Sequence, residues 1–324
     1  NALDAATTAS NNTSVGHDSL TDLTTGSQNT ALGSNALANT TTAANNVGVG
    51  FLALTANTTG TQNTAVSQAL QSTTTGNYNT AVGMYSGESN TTGGYNTAVG
   101  RSSLNQNTTA SYNTAVGEHA LYANTTASNN TAVGYEGLRD NTTGANNAAF
   151  GALALQVNTT GAQVTAVGKG ALGANTTGHN NTAVGFHALV NNVSNSSNTG
   201  IGDSALATLN GGAENTAVGH YALRMAGTSN DNTAVGYNAL GATTTGSDNT
   251  AVGQDALVSN TTAYSNAAFG KQALAANTTG THNTGIGCLA LKANTTSSST
   301  TAVGIEALYA NTTGSGNTAV GGSA

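Results

Sequence analysis

Proline and tryptophan are absent from the 324 residues, cysteine occurs once, and charged side chains make up only 6%. Each shortage excludes something. A lone Cys288 builds no disulfide framework within the chain, and no Cys/His spacing suggests a zinc site. Six Lys and Arg residues, scattered from Arg101 to Lys292 against a net charge of -7, form no basic stripe, so neither nucleic acid nor an anionic membrane surface is an expected partner. No apolar run approaches the roughly 20 residues that span a bilayer as a helix, so membrane insertion by this segment is not expected. What remains is Gly, Ala, Asn and Thr, a composition that reads as low complexity only if the order is ignored.

The order is strict. The pentapeptide Asn-Thr-Ala-Val-Gly, or a close variant, begins at position 12 and recurs 19 times to position 317, at a spacing of 17 residues. Only the step from Asn63 to Asn79 is short, by one residue. Such a period over a whole chain marks a solenoid, in which each repeat is one coil that buries its apolar side by stacking on neighbours. No composition shift or linker interrupts the register, so residues 1–324 read as a single β-solenoid repeat domain. Neither end carries an atypical capping coil, and the expectation is a segment of a longer repeat protein.

Numbering the Asn of each pentapeptide as column 0, the consensus is N-T-A-V-G-x-x-A-L-x-x-N-T-T-G-x-x. Column 3 is always apolar, as in Val15, Leu32, Phe150 and Ile201. Period-2 alternation puts columns 1 and 3 on one strand face and column 2 on the other. Where column 3 becomes Phe, at Phe150 and Phe269, column 1 shrinks to Ala148 and Ala267, a volume compensation expected of close packing on a shared face. Column 2 is Ala in most repeats, Gly at Gly48, Gly200 and Gly285 and Ser at Ser14, and column 7 is likewise Ala, Gly or Ser beside a Leu in column 8. Read as two short strands crowded on both faces, this pattern calls for a second buried face, supplied most simply by identical chains about a common axis. The Gly of column 4, replaced only by Ser67, marks one corner, and the Asn of column 11 a second, where Asn adopts the left-handed conformation and stacks into amide ladders.

Columns 5, 6, 9, 10, 15 and 16 hold nearly everything variable and read as exposed ridges. Tyr78, Tyr95 and Tyr112 share one column on three successive repeats; with Tyr135 and Tyr237 they are the candidate surface-contact residues, either an aromatic stripe for sugar or a self-stabilising ring ladder. No converging set of catalytic groups is found: the six His residues lie in different coils and the strongest break in the repeat, Met84 to Glu88, offers one carboxylate. The chain is not expected to be an enzyme or to need a cofactor or metal. Sequons such as Asn57-Thr58-Thr59 and Asn141-Thr142-Thr143 permit a glycosylation reading, although the turn ladder explains their fixed phase.

The phrase Ala234-Val235-Gly236-Tyr237-Asn238-Ala239-Leu240 resembles the head repeats of trimeric autotransporter adhesins, and the longer Asn-Thr-Ala-Val-Gly…Asn-Thr-Thr-Gly unit is similar to repeats of phage tail-fibre proteins. The resemblance covers essentially the whole chain. It implies a left-handed parallel β-roll of about 19 coils, three chains to a homotrimeric fibre, and a place outside the cell, on a bacterial surface or a virion. The period of 17 is longer than the usual adhesin-head unit. The function expected is a structural and adhesive fibre whose partners are copies of itself and a cell-surface glycan or protein receptor. A self-assembling extracellular filament is the nearest alternative, and an ice-binding solenoid with flat Thr arrays is another.

Overall fold

Each repeat forms one coil of an all-parallel β-solenoid, and the computed structural model describes residues 2–324. Columns 1 to 3, where β-branched Thr and Val favour extended backbone, make the strand of each coil. Nineteen such strands, each of three residues, and no helix occur among the described residues. They fall into two compact units, residues 1–163 and 164–324. The first unit runs from β1 (Thr13–Val15) to β9 (Ala148–Phe150), and the second from β10 (Thr165–Val167) to β19 (Thr318–Val320). Within each unit consecutive strands pair in parallel and column meets column, as where Thr114, Ala115 and Val116 face Thr131, Ala132 and Val133.

The faces are the reverse of what side-chain size suggests. Column 2, the small one, points into the coil: Ala115, Ala132, Ala166 and Ala183 are wholly buried. Columns 1 and 3 point outward, and Val15, Leu32, Phe150 and Ile201 are exposed. The small residues therefore do not mark a second face packed on another chain; they line the only interior. The cause is space. Leu side chains of column 8 fill the narrow coil, so a Cβ built on Gly48 would lie 3.2 Å from Leu37 Cγ and 3.3 Å from the Ala53 carbonyl oxygen. A methyl group, or the hydroxymethyl of Ser14, is the largest strand side chain found at this position.

A second strand at columns 7 and 8 is also absent. Columns 5 to 10 form a series of turns, with left-handed backbone at columns 6 and 8; the buried Leu37, Leu121 and Leu257 take φ of 53, 51 and 51°. Left-handed conformation costs a non-glycine residue roughly 1–2 kcal/mol. What it secures is hydrogen bonding from coil to coil outside the strands. Leu121 N–H donates to the Gly137 carbonyl at 3.0 Å, and His119 N–H to the Arg101 carbonyl at 3.1 Å. Column 16 is left-handed as well, whereas the column 11 Asn residues are not, which corrects the left-handed conformation expected for them but not their amide ladder. Column 4 is the sharp corner: Gly117, at φ 134°, would place a Cβ 2.4 Å from the Gly134 carbonyl oxygen.

The Asn residues instead build two polar spines inside the coil. In column 11, Asn107 Nδ2 donates to Asn90 Oδ1, and Asn124 to Asn107, both at 2.9 Å. In column 0, the Asn113 and Asn130 backbone N–H groups donate to Oδ1 of Asn96 and Asn113. Both spines converge on one acceptor, since the Ala127 carbonyl receives Asn113 Nδ2 at 3.0 Å and Asn124 Nδ2 at 2.9 Å. Buried amides paired in this way hold the corner without a charged group.

The short coil is absorbed locally. Ser67, at φ 74°, takes over the corner, and the missing residue is that of column 6. The strands on either side, β4 (Thr64–Val66) and β5 (Thr80–Val82), keep Thr64 opposite Thr80 and Val66 opposite Val82. The irregularity of the short step is therefore confined to the turn.

Candidate functional site

Exposed large apolar side chains are unevenly placed around the coil. Of the 23 among the described residues, ten lie in column 3, six in column 5, three in column 16 and one in column 15. Those columns are the outer strand face and its two shoulders. Columns 9 to 13, which make up the other sides, carry only Val193, Met225 and Tyr309. A protein surface normally scatters such residues singly, and a contiguous apolar patch marks a contact. Both units show the same bias, through Leu32, Phe51, Val82 and Phe150 in the first and Phe186, Ile201, Val235 and Phe269 in the second. The Phe/Ala compensation falls on this outward face, where Phe150 is 43% exposed and Phe269 41%.

Three of the five candidate tyrosines come together. Tyr78 and Tyr95 stack at 4.7 Å between ring centroids with planes 12° apart, and Tyr95 and Tyr112 at 5.0 Å and 10°. All three are left-handed in column 16, which aims their rings outward one coil apart. Because Tyr95 has a ring on each face, it offers edges and a hydroxyl rather than a stacking platform for a sugar. The other two lie in column 5, away from the ladder. The Tyr135 hydroxyl bonds to the Glu136 carboxylate, which pushes the phenol pKa up and the carboxyl pKa down. Tyr237 stands edge-on to His220 at 5.6 Å.

The rim of columns 5 to 10 carries the charge. All six Lys and Arg residues lie there, Arg101, Lys169 and Lys271 in column 5 and Arg139, Arg224 and Lys292 in column 9. Arg139 grips Asp140 through two hydrogen bonds of 2.7 and 2.8 Å and reaches Glu136 at 2.8 Å, while Gln156 donates to the same Glu136 oxygen. His119, Tyr122, Glu136, Arg139 and Asp140 line a shallow cavity of about 380 Å³. The guanidinium pKa is raised further, first by Asp140, and the cluster holds itself together as a closed network.

The sequence reading missed two features. One is the column 0 spine, whose signal was the near invariance of Asn where no turn conformation needs it. The other is a run of acids in column 16 of the second unit, Glu214, Asp231 and Asp248 on successive coils, in the column that carries the tyrosine ladder in the first. No group of three His, Cys, Asp or Glu among the described residues is placed to hold a metal ion. The sequons quoted above fall on buried spine residues, since Asn57 donates to the Gly60 carbonyl and Asn141 to both Asn124 and Gly144. Their amides are closed to glycosyl transfer in the folded coil.

No protein-family model matches the chain, and no curated protein matches it either.

Proposed function

We propose that this chain is the repeat segment of a structural and adhesive extracellular fibre that works without catalysis, in which three copies pack through the outer strand face. The observation that carries this reading is the concentration of exposed large apolar side chains, 20 of 23, in columns 15, 16, 3 and 5. Valine-sized side chains exposed by a third to a half leave roughly 50 Å² each, so a unit of nine or ten coils offers roughly 500 Å² from column 3 alone, near the upper range for a free surface and before its shoulders are counted. The two shoulders carry ten of the 23 exposed large apolar side chains, beside their charged residues. A flat pair would cover the strand alone, whereas three chains about an axis turn each chain's two shoulders toward two neighbours. The Phe/Ala compensation on this outward face supports a packed rather than a solvated environment.

The resemblance to adhesin heads and tail fibres supports the same arrangement and adds a left-handed coil and a place on a bacterial surface or virion. Receptor contact, to glycan or protein, falls to the varied ridges, the charged rim of columns 5 to 10 among them. Native mass spectrometry of the full chain tests the reading: the expected species has three times the 31.6 kDa chain mass, and Phe150→Lys with Phe269→Lys converts it to single chains that keep their β signature. A wild-type chain that stays single at micromolar concentration overturns the reading.

A further inference from the structure

We infer that the column 16 tyrosine ladder is a site of oxidative cross-linking, in which Tyr95 couples covalently to Tyr78 or Tyr112 and bolts adjacent coils of one chain together. Radical coupling of phenols needs two rings close, similarly oriented and open to an oxidant. Tyr78, Tyr95 and Tyr112 meet all three conditions, with centroids 4.7 and 5.0 Å apart, planes within 12° of parallel, and exposures of 47, 52 and 59%. Near-parallel rings related by one coil place like atoms over like atoms, so the carbons ortho to neighbouring hydroxyls face each other.

The oxidant is a peroxidase acting with hydrogen peroxide. Each of two phenols gives up one electron and its hydroxyl proton to become a tyrosyl radical. The radicals join through a new bond between ortho carbons, and each ortho hydrogen then moves to its own phenolate oxygen, restoring two aromatic rings. Two hydrogen atoms leave in total, and one peroxide is reduced to two waters. The product closes a loop of 17 residues, the repeat itself. Cross-linking within this loop limits the freedom of the unfolded chain as a disulfide does, in a protein whose one cysteine rules out an internal disulfide.

The chain carries its own controls. Tyr135 is as exposed as the ladder at 49%, but it has no stacked ring partner among the described residues and its hydroxyl is bonded to Glu136. Tyr237 lies 6.5 Å from Tyr221 at a 54° tilt. The coupling lies within one chain and precedes association, because packing through columns 15, 16, 3 and 5 would cover the ladder in an assembled fibre.

The test is brief treatment of the full chain carrying Phe150→Lys and Phe269→Lys, which leaves column 16 uncovered, with peroxidase and hydrogen peroxide, followed by peptide mass spectrometry on a mixture of isotopically light and heavy chains. The expected products are Tyr78–Tyr95 and Tyr95–Tyr112 pairs lighter by two hydrogens, light with light and heavy with heavy, at least fivefold more abundant than any pair containing Tyr135 or Tyr237. Tyr95→Phe keeps the stacked ring but lacks the phenol, and it should remove both products while circular dichroism stays unchanged. Mixed light and heavy pairs dominating, an even spread over the other tyrosines, undiminished dityrosine in Tyr95→Phe, or no dityrosine at all would each overturn the inference.

Discussion

Ala149 and Phe150 are neighbours on one strand and opposites in environment. Ala149 is wholly buried against the Leu-filled interior, while Phe150 stands on the outer face with 43% of its surface exposed. The same contrast recurs in both units, small residue inside and large apolar residue outside. The inner side is limited by volume, since its neighbours leave room for little more than a methyl group. On the outer side the large side chains stand exposed in one chain, yet apolar character persists in all repeats and Phe is matched by a smaller neighbour. The two sides thus report different constraints, one from the coil's own packing and one from whatever covers it.

Substitutions can separate the two. Ala149→Leu forces a large side chain into the filled interior and should cost about 2–3 kcal/mol, read as a fall in the denaturant midpoint of the isolated chain. Breaking a spine comes next: Asn124→Leu strips Asn107 Oδ1 of its donor and the Ala127 carbonyl of one of two, at a cost of about 2 kcal/mol. A repair should work in the other direction. Asn57 Oδ1 is buried without a hydrogen-bond partner, and the next residue in its column is Thr73. Thr73→Asn supplies the missing amide and should stabilise by about 1 kcal/mol, with no change in the spectrum of the fold.

Acid offers a smaller probe on the rim. The folded carboxyl of Glu136 is held below its ordinary pKa, first by the Tyr135 hydroxyl and then by Gln156 and Arg139. A depressed carboxyl pKa means stability that is present above the unfolded value and lost as pH falls through the folded one. The loss should therefore appear below about pH 4 and stay under about 1 kcal/mol for so open a site; Glu136→Gln should flatten that part of the pH profile. Smallest of all is the outer face in a single chain. Phe150→Lys should shift the stability of the isolated chain by no more than about 0.5 kcal/mol, while association weakens.

Much of this was legible beforehand. The period, the column 4 corner at Gly117 and its equivalents, and the stacking of Tyr78, Tyr95 and Tyr112 all follow from residues repeating at fixed phase. The inside and outside of the strand did not. Alternation states which residues share a face, and transfer free energy then favours Val over Ala for the interior, but the interior is too narrow for Val once Leu37 and its equivalents occupy it. Nor did the backbone at column 8 announce itself, because Leu is a poor candidate for left-handed φ and adopts it only where coil-to-coil hydrogen bonds and burial offset the strain. Columns 6 and 16, rich in Asn, Asp, Ser and Gly, did carry that signal. Among the candidate residues, Tyr135 and Tyr237 shared exposure with the ladder but not its column, and exposure alone does not bring rings together.

Hydroxyl-radical footprinting of the assembled chain measures most directly which face is covered. Val133 and Val252, column 3 neighbours of Phe150 and Phe269, should be labelled at least severalfold less in the assembled chain than in the Phe150→Lys, Phe269→Lys single chain, while Met225 and Tyr309 on the far sides are labelled equally in both. Phe150 labelled as readily as its similarly exposed counterpart Met225 in the assembled form would contradict the account.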